Sequence, residues 1–209
     1  LPQATLFSVY TLYKAVQTKK LKYFIIHGLL LSIAIQLHYL ALFLFPVSAI
    51  VLLQQFVIAR KKKFEFIKKL AALAGSFLIP LSPFILFEVI HSFPNMKSVL
   101  RFSQENTSRN SMPFYNELLD TLQSCYRYLI QMTPSPFVTA FVTLLLLALF
   151  VYGLKKDRSI AYIVGSFFTL IIGVSLYRGP KYSHYLGGTY LLLYVSIGFL
   201  LAKIIKAKR

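Results

Sequence analysis

Residues 23–58, YFIIHGLLLSIAIQLHYLALFLFPVSAIVLLQQFVI, decide the fold. Over these 36 residues no acidic or basic side chain occurs apart from His27 and His38. Basic clusters close both ends, Lys19, Lys20 and Lys22 before the run and Arg60-Lys61-Lys62-Lys63 after it. A helix that crosses a hydrocarbon core of about 30 Å needs about 20 residues. The run is too long for one crossing, and cations flanking a span collect on the cytoplasmic side. It therefore predicts two short helices that go out and return, turning near Gln36-Leu37-His38-Tyr39. Pro46 falls in the first half of the returning helix, where a proline would kink it.

The rest of the chain obeys the same alternation. Residues 1–16 form a span that ends at Lys19, and residues 70–90 run outward again through Pro80 and Pro83. Residues 91–133 are polar, hold Glu105, Glu117 and Asp120, and read as an external loop. Inside it, residues 115–132 carry Leu118, Leu119, Leu122, Tyr126, Leu129 and Ile130 at helical spacing. That pattern predicts an amphipathic helix, lying along the membrane surface or capping the bundle. Residues 136–154 return to Lys155-Lys156-Asp157-Arg158, residues 159–177 go out, and residues 189–205 come back to Lys206, Lys208 and Arg209. The inner side then holds 17 cations, and the outer loops hold 6: Lys97, Arg101, Arg109, Arg127, Arg178 and Lys181. The expectation is all-α: a polytopic transmembrane helix bundle of about seven spans with one external amphipathic helix. Residues 1–209 form a single membrane domain, multi-pass in the cell membrane, N-terminus outside and C-terminus cytoplasmic.

Composition agrees with a membrane chain. Of the 209 residues 57% are hydrophobic and 14% charged, against roughly 25% charged in soluble domains. A net charge of +17 would point to nucleic acid in a soluble protein; here the cations sit beside apolar spans, so no nucleic-acid partner is expected. The single cysteine, Cys125, excludes an intrachain disulfide and reads as an inert thiol. No GxGxxG, Walker, HExxH or GxSxG pattern occurs, which argues against a nucleotide-driven pump. The chain begins at Leu1 within an apolar stretch, without the charged start or cleavage site of a signal peptide, and reads as a piece whose N-terminal part lies upstream.

Charged and polar groups are costly within hydrocarbon, so function is sought at span ends. Three outward clusters qualify. His38 and Tyr39 sit at the tip of the short hairpin. Glu88 and His91 stand i, i+3 on one helix face, where they could line a pocket or simply pair. Tyr177-Arg178-Gly179-Pro180-Lys181-Tyr182-Ser183-His184-Tyr185 gathers cations on the outer side against the general bias. Arg178, Lys181 and His184, with Tyr182 and Tyr185, suit a phosphate carrying a sugar or a prenyl chain. Two histidines and a carboxylate do not define a metal site, so no metal ligands are assigned; a divalent cation is the one cofactor left open. Asn106-Thr107-Ser108 matches the glycosylation sequon in the external loop.

These residues also carry a family likeness. Lys20-Leu21-Lys22-Tyr23, His27-Gly28-Leu29-Leu30-Leu31 and the following stretch through His38-Tyr39 to Pro46 resemble the GLLLGLA…(K/H)Y…P segment of polytopic GT-C glycosyltransferases. Within these, the likeness is to the protein O-mannosyltransferase and aminoarabinose transferase group. Residues 87–95, Phe-Glu-Val-Ile-His-Ser-Phe-Pro-Asn, are similar to the FE-x-RH-x-F-x-N segment of some bacterial members. His184-Tyr185 resembles their HY-x-x-x-x-Y-P motif, although no proline follows Tyr190. The resemblance implies transfer of a sugar from a polyprenyl-phosphate donor to a glycan, lipid or protein acceptor on the extracytoplasmic side. It puts the catalytic carboxylate in a loop after the first span of the family, upstream of Leu1, so no catalytic residue is assigned here. Two other classes fit the same residues: a transporter or flippase of lipid-linked sugars, and a non-catalytic membrane subunit.

Overall fold

The computed structural model describes residues 1–59, 63–107, 113–177 and 183–207. Arg60, Lys61, Lys62, Ser108, Arg109, Arg178, Lys181, Tyr182, Lys208 and Arg209 lie outside these. The described residues form helices joined by short connections, with no strand. In chain order the elements are α1 (Pro2–Thr18), α2 (Leu21–Leu37), a 3-10 segment (Tyr39–Leu44), α3 (Phe45–Ile58), α4 (Lys63–Ile90), α5 (Pro94–Thr107), α6 (Phe114–Ile130), α7 (Pro136–Lys156), α8 (Arg158–Leu176), a second 3-10 turn (Ser183–Leu186) and α9 (Gly187–Ala207). Five stretches are long and apolar enough to cross a membrane: Tyr39–Ile58, Lys63–Ile90, Pro136–Lys156, Arg158–Leu176 and His184–Ala202. Helices α1 and α2 are shorter, 17 residues each.

The break expected near residues 36–39 falls at His38, which leaves the helix in extended geometry (φ −163°). Pro46 does not kink an established helix. It occupies the first turn of α3, where a missing N–H leaves no hydrogen bond unmade. In α4, which starts earlier than the sequence suggests, Pro80 and Pro83 lie inside a continuous helix. The Ser82 hydroxyl donates to the Ile79 carbonyl (2.7 Å), the acceptor that Pro83 leaves without an amide partner. A single residue, Asp157, joins α7 to α8. Its carboxylate accepts from Ser159 N at 3.1 Å, capping α8, while Lys155 and Lys156 complement the C-terminal dipole of α7.

Burial is uneven. Helix α8 has eleven of its 19 residues buried and is the axis of the main core. Helix α4 buries only Phe66, Ser76 and Glu88. Large apolar side chains cover the outside, Phe137 at 80% and Ile79 at 71% exposure. An apolar surface this extensive is matched to lipid rather than to water. Between helices the seams rely on small residues. A Cβ at Gly28 of α2 would collide with Ser76 Oγ and the Leu73 carbonyl of α4, and one at Gly153 would stand 2.6 Å from Ala161 N.

A polar contact set within the bundle centres on His27. His27 is 1% exposed; its Nδ1 lies 3.0 Å from the Ser8 carbonyl and 3.2 Å from Ser8 Oγ, and its Nε2 3.2 Å from Ser48 Oγ. One imidazole thus joins α1, α2 and α3.

Neighbour contacts fix the helix directions. Ser8 meets His27, and Ala15 clusters with Phe24, so α1 and α2 are antiparallel. Phe24 meets Phe66, and Gly28 lies against Leu73 and Ser76, so α2 and α4 are parallel. Tyr13 meets Tyr162, and Gly188 lies by Thr5, which sets α8 and α9 against α1. Lys19, Lys20, Lys22, Lys63, Lys155, Lys156 and Arg158 therefore gather at one end of the bundle, and His38, Tyr177 and His184 at the other.

Candidate functional site

The end opposite the lysines is built from three interruptions of helix. His38 terminates α2, and its Nδ1 accepts from Leu40 N at 3.2 Å, starting the 3-10 segment. Tyr177 caps the C-terminus of α8. His184 and Tyr185 lie in the 3-10 turn that leads into α9. Such breaks free side chains from the regular lattice of a helix and bring residues distant in sequence side by side.

The rings converge on His38. Its imidazole stacks on Tyr39 (4.9 Å, 29°), meets Tyr185 edge-on (5.1 Å) and lies 5.8 Å from the ring of His184. His184 and Tyr185 are themselves edge-on at 4.5 Å, and Tyr185 meets Tyr177 at 5.2 Å and 90°. The hydroxyls of Tyr39 and Tyr177 are hydrogen-bonded. Four of the nine pocket and phosphate residues expected from sequence, His38, Tyr39, His184 and Tyr185, thus form one cluster. Tyr177 completes it, a tyrosine to which the sequence pattern alone assigns no role. Arg178, Lys181 and Tyr182 lie outside the described residues, in the segment that follows Tyr177 directly.

Electrostatics set the protonation of this group. Burial, and then the neighbouring His184, hold the His38 imidazole below its ordinary value of 6.5. Because Nδ1 accepts from Leu40 N, the proton of neutral His38 sits on Nε2. His38 therefore offers an uncharged N–H donor at neutral pH. Burial also raises Tyr177, which keeps its phenol protonated and able to donate.

Glu88 and His91 are engaged elsewhere. Ser92 and Phe93 both adopt left-handed backbone (φ 60° and 61°), turning the chain sharply out of α4. This brings the N-terminus of α5 onto the buried Glu88 carboxylate. That carboxylate accepts from Asn95 Nδ2 (2.6 Å), Asn95 N (3.3 Å) and Met96 N (3.2 Å). Glu88 is thus a helix cap. His91 is exposed, donates from Nδ1 to the Phe87 carbonyl (2.9 Å) and stacks on the Phe87 ring at 4.3 Å. The two do not pair, and neither makes a hydrogen bond or ring contact with the His38 cluster. Among the described residues no group of three His, Cys, Asp or Glu is placed to hold a metal ion.

Beside the cluster, α6 turns Thr121, Leu122, Cys125 and Tyr126 into the bundle against α7, α8 and α9. The Tyr126 hydroxyl bonds Thr143 Oγ1 (3.0 Å), and Cys125 Sγ lies 3.3 Å from Thr189 Oγ1. Burial pushes the Cys125 thiol up to about 12, so it stays protonated. No family model matches the chain, nor does any curated protein or solved structure.

Proposed function

We propose that the chain is part of a membrane glycosyltransferase that moves a sugar from a polyprenyl-phosphate donor to an extracytoplasmic acceptor, in the manner of the GT-C group. The observation that carries this reading is the meeting of His38 with His184 and Tyr185. Two helix breaks far apart in sequence supply one patch of donors, next to the segment that contains Arg178 and Lys181.

The topology follows from charge. Cations flanking spans remain on the cytoplasmic side, so the lysine-rich end faces the cytoplasm and the His38 cluster faces out. Seven crossings result: α1, α2, α3 with its 3-10 lead, α4, α7, α8 and α9 with its own. At 17 residues α1 and α2 are each about 25 Å long, short enough to call for local thinning of the bilayer. In this arrangement Arg178 and Lys181 neutralise the donor phosphate, and His38 Nε2 and the tyrosines orient its oxygens as charge develops on the leaving phosphate. No residue of this chain is assigned as the base that activates the acceptor.

The test uses full-length protein in nanodiscs, titrated with a polyprenyl phosphate against the corresponding uncharged polyprenol. Saturable binding of the phosphate alone is expected, weakened roughly 10- to 100-fold by Arg178→Ala or Lys181→Ala, as loss of one charge-assisted contact implies. Equal binding of both lipids, or undiminished binding by both variants, removes this end from the donor site. In a Cys125→Ser background, single cysteines at positions 38 and 181 should react with an impermeant reagent from outside, and cysteines at 62 and 156 should not. A cytoplasmic position 38 defeats the topology.

A further inference from the structure

At the lysine-rich end, where the ends of α1 and α3 meet α2 and α4, the helices enclose a cavity of about 260 Å³. Its floor is apolar: Ala15, Phe24 and Phe66 form a buried cluster separate from the main core, with the two phenyl rings edge-on at 5.8 Å. Its rim is polar and carries Lys19, Gln55, Glu65 and Lys69.

We propose that this cavity binds the headgroup of an anionic phospholipid, with Lys19 and Lys69 on its phosphate and the aromatic floor against the glycerol and first methylenes. The argument joins three observations. First, two lysines and one carboxylate line the cavity among the described residues, which leaves that lining net positive and suited to one phosphate diester. Second, half of the enclosure is hydrocarbon and aromatic. A free hydrated anion gains nothing from such a floor and would lose water there, whereas an amphiphile matches both halves. Third, the position is the end of the spans, where lipid headgroups lie, and basic clefts between helices are the form that headgroup sites take. The rim is also held in place. Lys19 adopts left-handed backbone (φ 55°), fixed by its N–H on the Ala15 carbonyl (3.0 Å), and Lys20 N bonds Thr18 Oγ1 at 3.3 Å. The surrounding Lys20, Lys22, Lys63 and Lys68 attract anionic lipid in general but do not line the cavity. The site is at the opposite end from the His38 cluster and does not depend on the donor reading.

The experiment is native mass spectrometry of the full-length protein in mild detergent, with dioleoylphosphatidylglycerol, dioleoylphosphatidylcholine or glycerol 3-phosphate added. One phosphatidylglycerol should be retained in preference to phosphatidylcholine, and glycerol 3-phosphate should not displace it. Lys19→Ala with Lys69→Ala should lower retention at least roughly tenfold. Lys20→Ala with Lys68→Ala removes the same charge from outside the cavity and should leave retention nearly unchanged. Glu65→Gln should raise it by removing the repelling carboxylate. Equal loss in the two lysine pairs, equal retention of both lipids, or displacement by glycerol 3-phosphate overturns the proposal. Should the Lys19/Lys69 variant prove unstable, Glu65→Gln decides alone, and unchanged or weaker retention counts against the site.

Discussion

His27 and His38 belong to the same apolar run, yet the bundle treats them in opposite ways. His27 is enclosed by three helices, and both its nitrogens are occupied. The Ser8 carbonyl can only accept, so Nδ1 of His27 carries the proton, and Nε2 lies 3.2 Å from the Ser48 hydroxyl, whose single proton is shared with the Leu44 carbonyl at 3.1 Å. His38 stands at a helix end, half-buried, and the Leu40 amide fixes the other tautomer, with the proton on Nε2. The first histidine has nothing left to offer a ligand. The second keeps a donor for one. Partnership within the fold, more than residue type, separates a structural imidazole from a functional one.

The largest expected effect breaks the comparison at its buried side. His27→Ala removes a ring from a closed site and strands polar groups on α1 and α3, at a cost of roughly 3–5 kcal/mol. His38→Ala should cost less than about 1 kcal/mol. Denaturation midpoints in detergent measure both, and comparable losses would show that His38 is as structural as His27.

Protonation offers a sharper and smaller contrast. The folded value of His38 lies below 6.5, so folding favours its neutral form. The stabilising contribution is fully present above about pH 6.5 and is lost as pH falls through the folded value. Protonating Nδ1 also removes the acceptor of Leu40 N. Hydrogen exchange of the Leu40–Leu44 amides, corrected for intrinsic rate, should therefore quicken as the pH falls below 6.5 and through the lowered folded value. His38→Asn, which retains an acceptor that does not titrate, should flatten that dependence. A persistent pH response in the variant would locate the titrating group elsewhere.

The most local effect concerns a carboxylate at the same end of the bundle as His38. Glu88→Ala should cost about 1 kcal/mol, the usual magnitude of a lost helix cap, seen as faster exchange at Asn95 and Met96. Polyprenyl-phosphate binding should not change. A loss of binding would return Glu88 to the pocket.

The extent to which the sequence disclosed this arrangement depended on how local the cause was. The break at His38 was legible because residues 23–58 are too long for one crossing and basic at both ends. The helix in residues 114–130 was legible from its apolar spacing. Helix α5 was not, because residues 94–107 are polar on average and their apolar spacing is confined to the single turn of Met96, Val99 and Leu100; its start is set by Pro94 and by Glu88 reaching over the Ser92-Phe93 turn. The i, i+3 spacing of Glu88 and His91 suggests a pair, but Asn95 and the Met96 amide hold the Glu88 carboxylate while His91 turns to Phe87. His27 was named but could not be assigned a role, since its serine partners lie on two other helices. The sequence pattern assigns Tyr177 no role, because only the return of the chain at Tyr185 makes it a neighbour. Arg178, Lys181 and Tyr182, on which the phosphate reading leans, lie outside the described residues.

The bare seam at Gly28 has a consequence for biogenesis. Helix α2 closes against α4, yet α3 emerges from the ribosome between them and buries only Ser48 and Val51 of its own length. The groove over Gly28 must stay open to lipid until α4 has been synthesised and inserted beside α2. The first half of the bundle is therefore completed late, by a helix that arrives after its neighbour in sequence has already taken an outer berth. A side chain at position 28 would block that arrival rather than loosen a finished contact.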